Sequence, residues 1–405
     1  MLRKLLRLDR MGQRALLIQL ARLGDLVQTI PAIRALEEAH AERTLDLLCP
    51  EHLDEIGRAL PGISRVVKWD GAAWSRRARL AEQMFQTEQL AEADAELAAM
   101  VSESYDYAFV LNQHPRAVLA GALLARTSLG ALVGGPLAQS LSPWAAHVRG
   151  VAGGRGENRI HLADAFCGMC GVLPPRGLVP IQVFAAALPG SLDAIGAGSG
   201  PWIGLVIGAG ERERVVPESV WGQLIVGCLD SLPCSRIVLM GSQPEHERAQ
   251  AMLAALPSQV QGRVWDTTGR LSLIELAAVL RRCQVVVGAD TGPLHLAAAV
   301  GTHVIGWYFA RARVHETGPY GLGHWVWQAE GTGRIKAGGI QPTSWPIAET
   351  IALLSDRVPA SSTGWSLWSS RRDRWGAYYV EAGHEPIAPL QREQVWQELQ
   401  LTSVS

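Results

Sequence analysis

Residues 288–295, Gly-Ala-Asp-Thr-Gly-Pro-Leu-His, place an aspartate, a threonine and a histidine in one short turn of otherwise small or apolar residues. The turn follows the β-branched run 285–287 and precedes the small apolar run 296–300, an order that predicts strand, turn and helix. Such a turn directs backbone N–H groups and the positive end of a helix dipole at a bound group, and phosphate suits both. The alternative is a turn whose polar residues only cap the helix. The candidate phosphate ligands are Asp290, Thr291, Gly292 and His295.

Two other turns place charged side chains after predicted strands. Residues 208–214, Gly-Ala-Gly-Glu-Arg-Glu-Arg, combine small residues with arginine, whose planar guanidinium binds two oxygens of a diphosphate at once. We favour Arg214 over Arg212 for this contact, with a solvated charged loop as the alternative. Glu245 opens the helix that follows the strand 236–240. It could accept a hydrogen bond from a ribose hydroxyl or simply complement the helix dipole.

The first strand-to-helix turn contains a single acid. Residues 21–25, Ala-Arg-Leu-Gly-Asp, do not form a G-x-G-x-x-G motif, which argues against a nicotinamide dinucleotide site. The carboxylate of Asp25 could accept a proton from an attacking hydroxyl. It could equally cap the helix expected to begin at Leu26. Residue type and position leave these two roles open.

Hydrophobic patterning predicts two α/β units that carry these turns. Predicted strands lie at 15–20, 44–49, 65–69 and 107–111, and then at 202–207, 236–240, 285–287 and 303–308. Helices alternate with them, including a long one over 78–104, so we expect two parallel doubly wound sheets. Ligands bind at the carboxyl ends of such strands, which predicts a cleft between two domains. We divide the chain into 1–187, a linker 188–201, 202–350 and a tail 351–405.

Composition limits the class of protein. The 405 residues carry a net charge of −1, so no electrostatic case for nucleic-acid binding exists. No apolar run is long and uncharged enough to span a bilayer, and the N-terminus is a poor signal peptide, so a cytoplasmic protein is expected. A basic, apolar first helix lying on a membrane surface is the alternative. Cys167 and Cys170 sit in an apolar helical pattern, which favours core cysteines over a metal pair.

The tail is rich in aromatic residues around the charged run 371–374. We interpret it as an arm that packs on the body of the protein, with an acceptor or partner surface as the alternative. The aromatic residues are Trp365, Trp368, Trp375, Tyr378 and Tyr379.

Taken together, these motifs resemble glycosyltransferase family 9, the bacterial heptosyltransferase-like enzymes. Residues 17–32 resemble the family's N-terminal signature and residues 286–299 its C-terminal signature. Residues 239–249 are similar to its ribose-side loop. The order and spacing of the three segments extend the resemblance over residues from about 14 to 355.

The resemblance implies a GT-B architecture of two Rossmann-like domains facing a cleft, with the donor nucleotide on the C-terminal one. It implies an inverting, metal-independent sugar transfer that uses no cofactor. The nucleotide sugar is the donor substrate, and ADP-heptose is the candidate. The acceptor would be a cell-envelope glycan such as lipopolysaccharide core, reached on the inner-membrane surface if the enzyme associates there. By position, Asp25 would be the general base and Glu245 the ribose contact. The donor-phosphate site would comprise Asp290, Thr291, Gly292 and His295.

Two segments depart from the family pattern. Arg214 is followed by Val-Val-Pro, where the family usually has a basic residue followed by Trp-Pro. Residues 307–313 replace a Phe-Gly-Pro-Thr-like loop. These departures keep two alternatives open: a family 9 transferase with another donor sugar and a glycan or surface-protein acceptor, and a non-catalytic nucleotide-sugar-binding protein.

Overall fold

A computed structural model describes residues 14–73, 95, 104–133, 139–151, 158–182, 200–331, 339–359, 361–385 and 390–402. Most of the predicted helix over 78–104 and of the predicted linker over 188–201 lies outside these residues. The chain forms two units. The first comprises Met1–Gly154, Leu162–Leu178 and Glu393–Ser405, and the second comprises Arg155–His161 and Val179–Arg392.

The first unit contains a six-stranded sheet. Its strands are β1 (Arg14–Ile18), β2 (Thr44–Pro50), β3 (Arg65–Trp69), β4 (Tyr105–Val110), β5 (Ala125–Val133) and β6 (Gln139–Leu141). The order across the sheet is β3-β2-β1-β4-β5-β6, and only β6 runs antiparallel to its neighbour. Its helices are α1 (Leu23–Val27), α2 (Ile30–Ala39), α3 (Asp54–Ala59), α4 (Pro115–Leu124), α5 (Pro143–Val151) and α6 (Leu162–Met169).

The single helix expected from Leu26 to His40 is two helices. α1 ends at Val27 and α2 begins at Ile30. The Thr29 hydroxyl donates to the Leu26 carbonyl at 2.6 Å, which satisfies a carbonyl at the end of α1. Pro31 lies in the first turn of α2, where the missing N–H costs no helical hydrogen bond.

The second unit contains an eight-stranded sheet. Its strands are β7 (Trp202–Val206), β8 (Arg236–Met240), β9 (Val264–Asp266), β10 (Val285–Ala289), β11 (His303–Tyr308), β12 (Trp325–Ala329), β13 (Trp365–Asp373) and β14 (Gly376–Glu381). The order is β14-β13-β12-β11-β10-β7-β8-β9. The helices are α7 (Glu218–Ser231), α8 (His246–Ala255), α9 (Ser258–Gln261), α10 (Leu273–Arg282), α11 (Gly292–Ala299), α12 (Val314–Thr317) and α13 (Ile347–Leu354). The last helix, α14 (Leu390–Thr402), belongs mostly to the first unit.

Both sheets share one winding order. Counted from the first strand of each unit, six strands run 3-2-1-4-5-6, which is the doubly wound Rossmann order. The predicted α/β fold class is therefore confirmed. The winding direction reverses between β1 and β4 in the first unit and between β7 and β10 in the second, so the loops after these strands lie side by side. Ligands bind at such switch points.

The aromatic tail packs on the second unit, as predicted, but does so as strands that the sequence analysis did not anticipate. β13 pairs antiparallel with β12 and β14 with β13, so the hairpin β13–β14 extends the sheet. Trp365 is only 1% exposed and its ring lies 5.7 Å from that of Trp345. Further along the tail, Trp396 of α14 packs on Trp144 within the first unit, with ring centroids 4.2 Å apart.

Two further expectations concern apolar segments. Cys167 and Cys170 are buried, as the core interpretation predicts. Within the described residues, no helix has the length and apolar character needed to cross a membrane.

Candidate functional site

The candidate site of the second unit lies where β7 and β10 run side by side. The two strands pair in parallel, with Val206 opposite Gly288. A Cβ at Gly288 would lie 3.0 Å from Leu294 and 3.1 Å from Val206, so glycine permits this close packing. The loops that leave the two strands are therefore neighbours, and they carry the residues singled out in the sequence.

Arg214 joins these two loops. It ends a short 3₁₀ turn, Arg212–Arg214, after β7. Its Nη1 donates to Asp290 Oδ2 at 3.0 Å and to the Asp290 carbonyl at 3.1 Å. Its Nη2 lies 3.2 Å from Glu211 Oε2. The structure thus brings Arg214 to the β10 turn and leaves Arg212 exposed.

Asp290 is held on both of its carboxylate oxygens. His295 Nε2 lies 3.3 Å from Oδ1, opposite the oxygen that Arg214 binds. Asp290 is 7% exposed and His295 is 5% exposed. Burial alone would raise the pKa of Asp290, but the hydrogen bond from His295 and the charges of His295 and Arg214 hold that pKa below its usual value. The carboxylate is therefore an anion that keeps two nitrogen donors in place.

Thr291 and Gly292 form the start of α11. Thr291 is the N-cap residue with an extended backbone, and Gly292 is the first helical residue. Among the described residues, the Thr291 hydroxyl oxygen and His295 Nδ1 are buried without a hydrogen-bond partner. Leaving a buried polar atom unpaired costs about 1–3 kcal/mol. A ligand that carries several oxygens would satisfy both atoms.

Glu245 lies beside the loop that carries Arg214. A Cβ at Gly208 would approach the Glu245 carboxyl carbon to 3.0 Å. Glu245 Oε2 accepts hydrogen bonds from the Ser242 backbone N–H at 2.8 Å and from the Ser242 hydroxyl at 2.5 Å. These bonds form a capping box around the 3₁₀ turn Gln243–Glu245. The carboxylate is thereby fixed near the switch point, while its role toward a ribose stays a prediction.

Tyr308 is a site residue that sequence reasoning missed. It ends β11, is fully buried, and lies beside Asp290, because Trp307 pairs with Ala289 one residue earlier in the two strands. Burial, followed by the charge of Asp290, raises the pKa of Tyr308 well above 10. The available signal was a polar side chain at the carboxyl end of an apolar strand that neighbours β10.

Asp25 lies at the corresponding turn of the first unit. α1 begins at Leu23 with Arg22 as its N-cap residue, so the predicted helix start at Leu26 is wrong, and Asp25 contributes to capping from inside the helix rather than as the N-cap residue. The side chain instead reaches back from the third helical position, and its Oδ2 accepts the Arg22 backbone N–H at 3.3 Å. Asn112, which follows β4 and was not singled out in the sequence, accepts a hydrogen bond from the backbone of Leu20. This bond ties the two switch-point loops of the first unit together.

Comparisons with known proteins find a family model that matches part of the chain and solved structures that share its fold. Residues 187–329 match the family model described as glycosyltransferase family 9 (heptosyltransferase). Lipopolysaccharide heptosyltransferase 2 of Salmonella typhimurium is 32% identical over 73 residues, which span 18% of this chain and 21% of that protein.

Two solved structures share the fold over most of the chain. A family 9 glycosyl transferase from Veillonella parvula superimposes with a TM-score of 0.62 at 16% identity, over 96% of this chain and 97% of that one. The heptosyltransferase WaaC of E. coli, solved with ADP, gives a TM-score of 0.61 at 18% identity, over 85% and 99%. These two matches confirm the GT-B type of fold, whereas the resemblance to family 9 is supported by the family model over residues 187–329 and by the heptosyltransferase relative. Arg214, Glu245 and the Asp290–His295 turn lie inside the segment that matches the family, whereas Asp25 lies outside it.

Proposed function

Because residues 187–329 match the model of glycosyltransferase family 9, we propose that the protein is an inverting, metal-independent glycosyltransferase. It moves a sugar from a nucleotide-diphosphate sugar to a cell-envelope glycan acceptor such as lipopolysaccharide core. The observation that carries the proposal is the buried arrangement of Arg214, Asp290 and His295 at the β7–β10 switch point. ADP-heptose is the candidate donor, since the WaaC structure with the same fold is named as a complex with ADP.

The donor diphosphate binds above the start of α11 in this proposal. The Thr291 hydroxyl and the ring of His295 offer it buried polar atoms, and the helix start adds its positive dipole end. Asp290 does not contact the phosphate but neutralises and orients its two neighbours. Donors that are fixed before the reaction stabilise the charge that develops on the departing diphosphate. This set of residues is the basis for proposing metal independence.

Asp25 serves as the general base in the same proposal. The acceptor hydroxyl oxygen forms a bond to the anomeric carbon of the sugar and loses its proton to the Asp25 carboxylate. The bond from the anomeric carbon to the diphosphate oxygen breaks, and its electron pair leaves with the nucleoside diphosphate. A single displacement of this kind inverts the anomeric centre. General-base assistance contributes about 10²–10⁴-fold to such a step.

A different donor sugar is the second candidate, and the loop after β11 favours it. Phe309 is 1% exposed, and its ring lies 5.1 Å from that of Trp345 and 6.4 Å from that of Trp365 in the tail. The segment where the family has a Phe-Gly-Pro-Thr-like loop is therefore built into the core of this unit. Such a change next to the donor turn would alter the sugar that is accepted, with a glycan or surface protein as acceptor.

A ligand screen on the full-length chain tests the proposal. Calorimetric titration with ADP, UDP and GDP identifies the nucleotide that binds. A rise in the unfolding temperature with the same nucleotide checks the result, because a ligand that binds only the folded state stabilises it. Mass spectrometry then follows sugar transfer from ADP-heptose to a heptose-free lipopolysaccharide core. Tight binding of ADP with transfer supports the heptosyl proposal, and selective binding of UDP or GDP supports the second candidate. Binding without transfer to any acceptor would indicate the non-catalytic alternative, while binding of no nucleoside diphosphate would exclude all three. The cytoplasmic location and the membrane association remain predictions.

A further inference from the structure

Residues 317–320, which we call the carbonyl segment, begin at the last residue of α12 in the second unit. Three consecutive backbone carbonyls of this segment each accept a hydrogen bond from a side chain of a different element. The pairs are Tyr308 Oη to Thr317 O at 2.6 Å, His161 Nε2 to Gly318 O at 2.7 Å, and Tyr379 Oη to Pro319 O at 2.7 Å. Since a carbonyl oxygen only accepts, each of the three side chains is the donor, and His161 carries its hydrogen on Nε2.

The side chain of Tyr379 also fixes the segment by packing. Tyr379 lies on β14 of the C-terminal hairpin and is 5% exposed. A Cβ at Gly318 would overlap its ring, so the aromatic ring rests directly on the backbone. A buried carbonyl that loses its donor stays unsatisfied unless the backbone moves. The hydroxyl of Tyr379 therefore holds Pro319 in one position, and with it the Thr317 carbonyl two residues earlier.

Tyr308 connects the carbonyl segment to the β10 turn. Its hydroxyl has one proton, which it donates to the Thr317 carbonyl. Tyr308 also lies beside Asp290, because Trp307 pairs with Ala289 one residue earlier in the two strands, and both residues are buried. The position of the Thr317 carbonyl thus decides which way this proton points. When the proton turns toward Asp290, the carboxylate acquires a further donor in competition with Arg214 and His295.

We propose that Tyr379 is a positioning residue for the donor-phosphate site. It acts through the Pro319 and Thr317 carbonyls on Tyr308, and through Tyr308 on Asp290. Tyr379 lies beyond residues 187–329, the segment that matches the family, so this contribution comes from the C-terminal hairpin. The inference rests on the proposed function, because the site it tunes is the proposed diphosphate site.

Calorimetric titration of the full-length chain with ADP tests the inference. Tyr379→Phe removes one hydroxyl and keeps the ring, and we expect the Kd for ADP to rise by about fivefold or more. The number of ADP molecules bound per chain should stay unchanged, whereas a merely structural defect would lower that number without changing the Kd. Tyr378→Phe is the matched control, because adjacent side chains of a strand point to opposite faces, and it should bind ADP as the wild type does.

A double-mutant cycle tests the route through Tyr308. If Tyr379 acts through Tyr308, the variant Tyr308→Phe/Tyr379→Phe should bind ADP no more weakly than Tyr308→Phe alone. Gly318→Ala displaces the segment while keeping both hydroxyls, and should also weaken ADP binding. Wild-type affinity in Tyr379→Phe, or additive losses in the double variant, would overturn the inference. A wild-type chain that binds no nucleoside diphosphate would instead overturn the proposed function, and this inference with it.

Discussion

One nitrogen of Arg214 binds Asp290 twice, through the carboxylate at 3.0 Å and through the backbone carbonyl at 3.1 Å. The first bond neutralises the carboxylate, and the second fixes the main chain where β10 passes into α11. Because Arg214 follows β7, the contact makes the two switch-point loops of the second unit one rigid structure. The geometry of the proposed phosphate site therefore depends on a residue 76 positions earlier in the chain.

Arg214→Gln should destabilise the second unit and weaken nucleotide binding. The substitution removes the guanidinium from the buried Asp290 carboxylate, and removing one member of a buried ion pair costs about 3 kcal/mol. Denaturant unfolding measures the stability, and titration with ADP measures the affinity. Arg212→Gln is the matched control, because Arg212 is exposed and its loss should leave both values unchanged. Equal effects of the two substitutions would contradict the assignment.

Asp25→Asn should abolish most of the sugar transfer without affecting binding of the donor. The amide oxygen of asparagine can still accept the Arg22 backbone N–H, so α1 keeps this contact, while the amide cannot take a proton. We expect kcat to fall by about 10²–10⁴-fold with the Kd for ADP unchanged. The rate of product formation under saturating donor checks this. Undiminished transfer would show that Asp25 is not the base.

Glu245→Gln should weaken ADP binding through the ribose. A carboxylate that accepts from a ribose hydroxyl gives a charge-assisted bond, so the Kd for ADP should rise by about tenfold. The same substitution should leave the Kd for 2′,3′-dideoxy-ADP nearly unchanged, because that ligand lacks both hydroxyls. Glu247→Gln, at an exposed position of α8, is the control. If affinity for the two ligands fell equally, Glu245 would not contact the ribose hydroxyls, and its role would be the capping contact with Ser242.

The stability of the second unit should fall in mild acid, partly because of His161. Burial lowers the pKa of His161 to about 4 from an ordinary 6.5. Between these values the unfolded chain binds a proton that the folded chain excludes, so the free energy of unfolding decreases as pH falls. The contribution of this one histidine is about 2 kcal/mol between pH 7 and pH 5.

His161→Gln should remove that part of the acid sensitivity. Its amide can still donate to the Gly318 carbonyl, so the hydrogen bond is retained while the titrating group is lost. Denaturant unfolding at pH 7 and pH 5 measures the difference. His384→Gln is the control, since the His384 side chain is 69% exposed. If His161→Gln lost as much stability as the wild type over this range, His161 would not be the group that titrates.

Much of the fold could be predicted from the sequence because parallel strands buried on both faces are nearly continuous apolar runs. The strands β3, β8 and β11 have the predicted limits. The hairpin β13–β14 was missed, although Asp373-Arg374-Trp375-Gly376 has turn chemistry. Asp373 Oδ1 accepts the Trp375 N–H at 2.7 Å, and Gly376 has φ +101°. The many aromatic residues of the tail could be seen in the sequence, but the strand with which the tail pairs could not.

The sequence by itself determined which residues end the strands, and therefore that Arg214, Glu245 and the turn from Asp290 to His295 belong to one edge of a sheet. Local pattern sets these positions because strand and helix periodicity are short-range properties. Only the tertiary structure decided that Arg214 and His295 bind opposite oxygens of Asp290, and that Tyr308 lies beside Asp290. Such contacts depend on strand order and burial, which bring together residues far apart in the chain. Local residue spacing contains no information about them.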